Sequence, residues 1–192
     1  MCVKQLYTPC LSVASYYVEC GNEVAIIDPM RDVDQYLQLA ENRQVKITYI
    51  MLTHFHADYV GGHVELAEKC GAQIIMGPGA ETDFEVNVLA DGEELSLGSD
   101  KIRLLHTPGH TLESSSYLLM DEGGAMHFLF SGDTVFMGDV GRPDLAVSKG
   151  CSKEELAGML YDSLNEKIKP LPDDVIIYPG HGPGSSCGKH IN

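Results

Sequence analysis

Thr53-His54-Phe55-His56-Ala57-Asp58-Tyr59-Val60-Gly61-Gly62-His63 is the stretch on which the reading of this chain turns. It follows Ile47-Thr48-Tyr49-Ile50-Met51-Leu52, an apolar run with the character of a buried strand. Three side chains able to ligate a metal, His54, His56 and Asp58, alternate just past that strand. Alternate residues of an extended segment point the same way, so the spacing predicts that the imidazoles converge on one point. Gly61-Gly62 then permits a tight turn into a helix. A lone histidine at a strand end is usually a polar cap. Two histidines and an aspartate in alternation carry instead the chemistry of a metal site, neutral imidazole beside carboxylate.

Three later segments repeat the design of a strand, a ligand-type residue and a glycine. Ile102–Leu105 leads into His106-Thr107-Pro108-Gly109-His110-Thr111, Phe128–Phe130 into Ser131-Gly132-Asp133-Thr134, and Val175–Tyr178 into Pro179-Gly180-His181-Gly182. Glycine beside a ligand lets the backbone approach an ion closely. Four such strand ends predict one common site at the edge of the sheets.

The rest of the chain supplies the scaffold. Val3–Tyr7, Ser15–Cys20 and Glu23–Asp28 read as an antiparallel meander turning at Gly21-Asn22. Asp32 is placed to cap a helix running through Arg43, with Val33, Tyr36, Leu37 and Ala40 on one face. Val64–Cys70 is a short helix stopped by Gly71, and Gln73–Met76 a strand; residues 80–90 read as loop with a short strand. Glu94–Leu97 and Ile102–Leu105 flank a turn at Gly98-Ser99-Asp100, and Ser115–Met120 and Met126–Phe130 form a hairpin across Glu122-Gly123-Gly124. Residues 133–151 read as a long functional loop. Ser152-Lys153-Glu154-Glu155 is a capping box, worth ~1 kcal/mol to a helix start. The helix that follows carries Leu156, Leu160, Leu164 and Ile168 in one stripe. Two batches of strands with helices between and after suit an α+β domain of two sheets packed face to face, helices outside.

Composition narrows the function classes. At 192 residues, 44% hydrophobic and 21% charged, the chain suits one globular domain. The net charge of −15 repels phosphate backbones and anionic membranes, so neither nucleic acid nor membrane is an expected partner. No apolar stretch is long enough to span a bilayer, and Met1–Tyr7 lacks the pattern of a secretion signal. The six cysteines, Cys2, Cys10, Cys20, Cys70, Cys151 and Cys187, form no CxxC pair and are read as reduced thiols of a cytoplasmic protein.

THFHAD at 53–58, TPGHT at 107–111, SGDT at 131–134 and PGH at 179–181 resemble the metallo-β-lactamase superfamily, in order and along essentially the whole chain. The resemblance implies a four-layer αββα sandwich over residues 1–192, with the metal site between the sheet edges. Most of that superfamily binds two metals and carries His immediately after the Asp of the first motif; here that position is Tyr59. A phenol titrating near pH ~10 is a poor ligand for a second divalent ion, which favours one metal.

Within the superfamily, SGDTVFMGDVGRPDL (131–145) and YPGHGPGSSCGKHI (178–191) are similar to persulfide dioxygenases (sulfur dioxygenases), of the type fused to rhodanese modules. That resemblance implies one Fe(II) per chain held by His54, His110 and Asp133, with His56 as a less certain ligand. Two imidazoles and a carboxylate suit a non-haem Fe(II) oxygenase. The implied reaction oxidises a glutathione or other small thiol persulfide with O2 to sulfite and thiol. Neither the rhodanese module nor the family's closing segments occur before Asn192, so the domain is expected to be cut short at its C-terminus. Related enzymes make a homo-oligomer the expectation.

Around the ligands, His56, Asp58, Tyr59 and His181 are assigned to the surrounding shell that orients ligands and bound water. Arg142 is a candidate for a substrate carboxylate, with an ion pair to Asp144 or Asp139 as the equal alternative. Tyr117 is a candidate pocket residue, although a core tyrosine is the plainer reading. Cys187, near Lys189 and His190, is a candidate contact or carrier for the sulfane sulfur, with an inert thiol as its rival. His63, His106 and His127 are read as structural. The rival enzyme class is a zinc thioester hydrolase of the glyoxalase II kind, in which zinc brings a bound water's pKa to ~7. A non-catalytic, metal-stabilised interaction domain is the third reading, and a nuclease the least favoured.

Overall fold

The computed structural model describes residues 1–144, 150–183, 185 and 187. Leu145, Ser186, Gly188, Lys189 and His190, which the sequence motifs include, lie outside the described residues. The strands β1 (Cys2–Thr8), β2 (Val13–Cys20) and β3 (Glu23–Ile27) form the expected antiparallel meander. They are followed by α1 (Asp34–Arg43), β4 (Lys46–Met51), α2 (His63–Cys70), β5 (Gln73–Met76) and β6 (Asn87–Val88). Because helices carry the chain from β3 to β4 and from β4 to β5, those strands pair in parallel, and β6 joins them in parallel too. The result is a six-stranded sheet in the order β1-β2-β3-β4-β5-β6.

The second half repeats the logic. β7 (Glu94–Leu97), β8 (Asp100–His106), β9 (Ser115–Met120) and β10 (Met126–Gly132) run antiparallel, and α3 (Lys153–Ser163) precedes β11 (Ile176–Pro179), which pairs in parallel with β10. This sheet has the order β11-β10-β9-β8-β7.

The layers follow from which faces are apolar. Between the sheets, Tyr16, Val18, Ile27 and Met51 of the first meet Leu104, Tyr117, Leu119 and Phe130 of the second in one buried cluster. Tyr16, Phe130 and Tyr178 cluster there with ring centroids 5.2–5.4 Å apart, Phe130 stacked on Tyr178 and Tyr16 inclined to both. On the outer face of the first sheet, Val33, Tyr36 and Ala40 from the α1 region and Leu66 of α2 cover Val24, Ile26, Ile50 and Ile74. Outside the second sheet, Ile168, Leu171 and Val175 cover Leu118, Met120 and Leu129. The architecture is the four-layer αββα sandwich. Among the described residues no helix is long and apolar enough to cross a membrane.

Local details depart from expectation in two helices. Val33 is the N-cap of α1, without a side-chain cap; Asp32 contributes only its carbonyl, which accepts from Gln35. In α3 the capping box forms as expected, Ser152 and Glu155 each serving the other's backbone N–H. The helix then ends at Ser163, and Leu164–Ile168 form a π turn. The stripe therefore splits: Leu156 and Leu160 are buried under α3, while Ile168 packs on the second sheet.

Candidate metal centre

The C-terminal ends of β4, β10 and β11 and the loop after β8 meet at one edge of the sandwich. Hydrogen bonds between the sheets lock this edge. Ser115 donates its N–H to the Thr53 carbonyl (2.8 Å), Tyr117 its hydroxyl to the Leu52 carbonyl (2.8 Å), and Tyr16 its hydroxyl to the Pro179 carbonyl (2.5 Å). Tyr117 is therefore a fully buried core residue and does not line the pocket. Its ring faces inward from the centre of β9, where a hydroxyl survives only by finding a carbonyl.

His54, His110 and Asp133 come together here, buried, with ligand atoms within 4.8 Å of one another. Asp133 Oδ2 lies 3.8 Å from His54 Nε2 and 3.4 Å from His110 Nε2. A count of protons shows what this arrangement requires. His110 Nδ1 faces the Arg142 carbonyl at 3.0 Å, and a carbonyl only accepts, so Nδ1 carries the proton. Thr53 gives its single hydroxyl proton to Asp28 Oδ2 at 2.7 Å, so His54 Nδ1, 2.9 Å from the same oxygen, must donate to it. Burial, with His56 alongside, lowers the pKa of His54 to about 3, so that ring is neutral and presents an Nε2 lone pair, while His110 turns its own Nε2 to the same carboxylate. Both Nε2 atoms face a buried carboxylate oxygen that has no hydrogen-bond partner among the described residues. An unpartnered buried carboxylate oxygen facing two imidazole nitrogens fits a cation.

Asp133 is aimed by its other oxygen. Oδ1 takes a hydrogen bond from His181 Nδ1 at 2.7 Å, and His181 Nε2 donates to Asp58 Oδ2 at 2.8 Å. With a carboxylate at each end the ring is an imidazolium. Burial opposes that charge, but the bonds to Asp133 and Asp58 outweigh it and raise His181 to about 12. Backbone geometry serves the same end. Gly132 sits at φ +50°, and a Cβ there would fall 2.5 Å from Thr53 Oγ1.

The three alternating side chains of the first motif do not meet at one point. Residues 53–60 bend rather than extend, so the period-two rule fails. His54 faces Asp133, Asp58 faces His181, and His56 Nε2 lies 3.0 Å from Asp28 Oδ1. That last pair is off the hydrogen-bond line, and neither ring nitrogen of His56 has a hydrogen-bond partner among the described residues. Burial disfavours a charge on His56, yet Asp28 raises its pKa. His56 is not among the three converging ligand atoms, although its ring centroid lies 4.1 Å from that of His54. Tyr59 lies over His56 with ring centroids 4.4 Å apart and donates to the Asp28 carbonyl at 3.3 Å. Burial, then Asp28, pushes the phenol well above its ordinary pKa, so it is a neutral donor here.

Arg142 forks onto Asp144 through two 2.7 Å bonds while its carbonyl orients His110. Cys187 is buried, with Sγ 3.8 Å from His181 Nε2. His106 bonds the Leu112 carbonyl, His127 pairs with Asp121, and the His63 ring packs on Phe84.

Sequence reading missed Asp28 and Glu113. Asp28 is buried at φ +50° and takes both the Thr53 N–H (2.9 Å) and its hydroxyl. It follows an apolar strand as the ligand residues do, and that repeated pattern was the available signal. Glu113, also buried, accepts the Phe55 N–H at 3.0 Å and ties the His110 loop to the His54 loop. A carboxylate so far along the chain from its partner carries no sequence signal.

Comparison with known proteins agrees with this geometry. Residues 8–181 match the family described as the metallo-beta-lactamase superfamily. A probable hydroxyacylglutathione hydrolase of Schizosaccharomyces pombe is 31% identical over 165 residues, 83% of this chain and 59% of that protein. The human mitochondrial persulfide dioxygenase ETHE1 is 29% identical, over 93% of this chain and 67% of that protein. A crystal structure of a Staphylococcus aureus metallo-beta-lactamase superposes with a TM-score of 0.88 at 38% identity, covering 96% of this chain and 57% of that one. The chain thus spans about three fifths of the first of these relatives. With the αββα layers, the strand-end ligands and the family match in agreement, the chain belongs to the metallo-beta-lactamase superfamily, whose members are metal-dependent enzymes.

Proposed function

We propose that the protein is a mononuclear Fe(II) persulfide dioxygenase, converting R–S–S⁻, O2 and H2O to R–SH, sulfite and a proton. The observation that carries this reading is the buried trio His54–His110–Asp133, two imidazoles and one carboxylate; among the described residues the other ligand-type group, Asp58–His181–Cys187, holds a single imidazole. Two further features support a single iron. Tyr59 replaces the imidazole of the two-metal pattern and is occupied with the Asp28 carbonyl. His181 is bound at both nitrogens by Asp133 and Asp58.

His54, His110 and Asp133 would hold the ion, and a ferrous ion there would supply Lewis acidity toward a sulfur anion and redox access to dioxygen. The chain does the positioning. Asp28 and Thr53 keep His54 in its Nδ1–H form, and the Arg142 carbonyl does the same for His110. His181 takes up Asp133 Oδ1 and so dedicates Oδ2 to the cation side. In this reading Cys187, beside His181, contacts the persulfide sulfur, and Arg142, half exposed, meets a carboxylate of a glutathione-like carrier at the expense of its bond to Asp144. A rhodanese-type acceptor, self-association and a cytoplasmic setting belong to the same proposal.

The second reading is a zinc thioester hydrolase, which the hydroxyacylglutathione hydrolase relative supports. Oxygen consumption by anaerobically iron-loaded protein given glutathione persulfide is the test. Stoichiometric O2 uptake with sulfite release supports the dioxygenase. No uptake, with turnover of S-D-lactoylglutathione by the zinc form, would replace it with the hydrolase.

A further inference from the structure

The outer face of the first sheet is only partly covered. A groove of about 700 Å³ opens there between α2 and the segment before β6, walled by Val64, Ala67, Ile74, Phe84 and Val86. The His63 ring braces Phe84, centroids 4.9 Å apart, and Val64 is 37% exposed. A cleft of this volume with an apolar wall is of binding-site size. Two carboxylates border it, Glu68 from α2 and Glu85 from the wall segment. That segment alternates: Ala80, Phe84 and Val86 pack on the outer cluster, while Glu81, Asp83 and Glu85 are exposed. None of these four carboxylates has an ion-pair partner among the described residues. The sequence holds no Lys, Arg or His between Lys69 and Lys101, and Lys69 itself is taken by Asp34 and Glu65, at 3.0 Å each.

Val86 and Asn87 bring the groove to an unpaired sheet edge. β6 is the last strand of its sheet and pairs in parallel with β5, Asn87 opposite Ile75. The Leu89 N–H reaches the Met76 carbonyl at 3.0 Å. Alternate residues of a parallel ladder face the neighbouring strand, so Asn87 and Leu89 face β5 while Val86 and Val88 turn their N–H and C=O groups to the open side. Val88 is 43% exposed, and no Lys or Pro occurs from Gly79 to Ala90 to block this edge. An open, apolar strand edge is a template for another strand.

We propose that an extended, cationic segment of a partner protein docks here and adds a strand beside β6. The ladder and the charges fix its chemistry. Side chains level with Val86 and Val88 lie over the groove, so every second residue of the segment is apolar, of Val or Ile type. The residues between them lie on the side of Glu81, Asp83 and Glu85 and are Lys or Arg. A second copy of this chain is not that partner. Pairing β6 with β6 would set the same carboxylates against one another, in a chain whose net charge is −15. None of the trio lines the groove, so the inference stands apart from the reaction proposed above.

Fluorescence anisotropy of the full chain with a short labelled peptide of alternating Lys and Val tests the docking. Saturable binding is expected, weakened about tenfold or more by the double charge reversal Glu68→Lys, Glu85→Lys and by raising salt to about 0.5 M. The same peptide with its backbone nitrogens methylated keeps every charge and side chain but offers no N–H to pair, and should bind about tenfold or more weaker. A peptide alternating Glu and Val should not bind. No saturable binding of the Lys–Val peptide, or equal binding of the Glu–Val peptide, overturns the proposal. So does an affinity within twofold of wild type after charge reversal, which leaves only an apolar ligand of the groove. Equal binding of the methylated peptide overturns it too, leaving charge attraction without a strand. Hydrogen exchange on wild type needs no variant: the Lys–Val peptide should protect the Val86 and Val88 amides, and unchanged exchange there overturns the added strand.

Discussion

Replacing Thr53 by Val should loosen the metal centre without touching a ligand. Valine has nearly the shape of threonine, so the buried packing against Gly132 survives and only the hydroxyl is lost. That hydroxyl gives its proton to Asp28 Oδ2 and receives the His54 Nδ1 proton. Its removal deletes a buried bond to a charged acceptor and leaves an imidazole N–H unpaired. The cost to stability is on the order of 3 kcal/mol, which in a chain of this size lowers the Tm by roughly 6–12 °C. The Thr53 N–H still reaches Asp28 Oδ1, so the loop should keep its path. His54 is then free to turn or to change tautomer, and a partner of this kind is worth ~10–100-fold in metal affinity. The assay is competition of the metal-free protein against a chromophoric chelator for zinc or cobalt, with thermal unfolding measured in parallel. Thr53→Ser keeps the hydroxyl and should restore most of the affinity. A Thr53→Val protein that binds within twofold of wild type would refute the argument that the hydroxyl fixes His54.

Two further substitutions separate scaffold from site. Gly109→Ala places a Cβ at φ +142°, 2.4–2.5 Å from the Leu160 Cβ and backbone, so either α3 or the His110 turn must move. A loss of about 1–3 kcal/mol or more in urea unfolding is expected, accompanied by weaker metal binding; unchanged unfolding would show that the contact yields freely. Tyr117→Phe removes the hydroxyl that donates to the Leu52 carbonyl, and should cost about 1 kcal/mol in stability. Because that ring lies in the core, KM should be unaltered, and a shifted KM with normal stability would return Tyr117 to the pocket.

What the chain announced by itself was mostly local. Apolar runs ending in His54, Asp133 and His181 were legible as strands that present ligands, because alternation of side chains and glycine turns are written in neighbouring residues. The capping box at Ser152–Glu155 and the glycine that closes α2 were legible for the same reason. From those signals followed the two sheets, the outer helices and a common ligand-bearing edge, whereas the trio itself was what the family resemblance implied.

Only the folded chain decided which of the histidines face one another. His54 and His56 are two residues apart, yet one faces Asp133 and the other Asp28, because the loop bends between them. Arg142 was an even choice on paper and Tyr117 leaned to the core; Asp144 took the guanidinium of the first, and the sheet buried the second. Asp28, Glu113 and the imidazolium of His181 owe their roles to partners 25, 58 and 48 residues away. Ligand identity is carried by residue type and spacing. Proton ownership, and with it the charge of the centre, is set by hydrogen-bond partners that tertiary packing alone brings together.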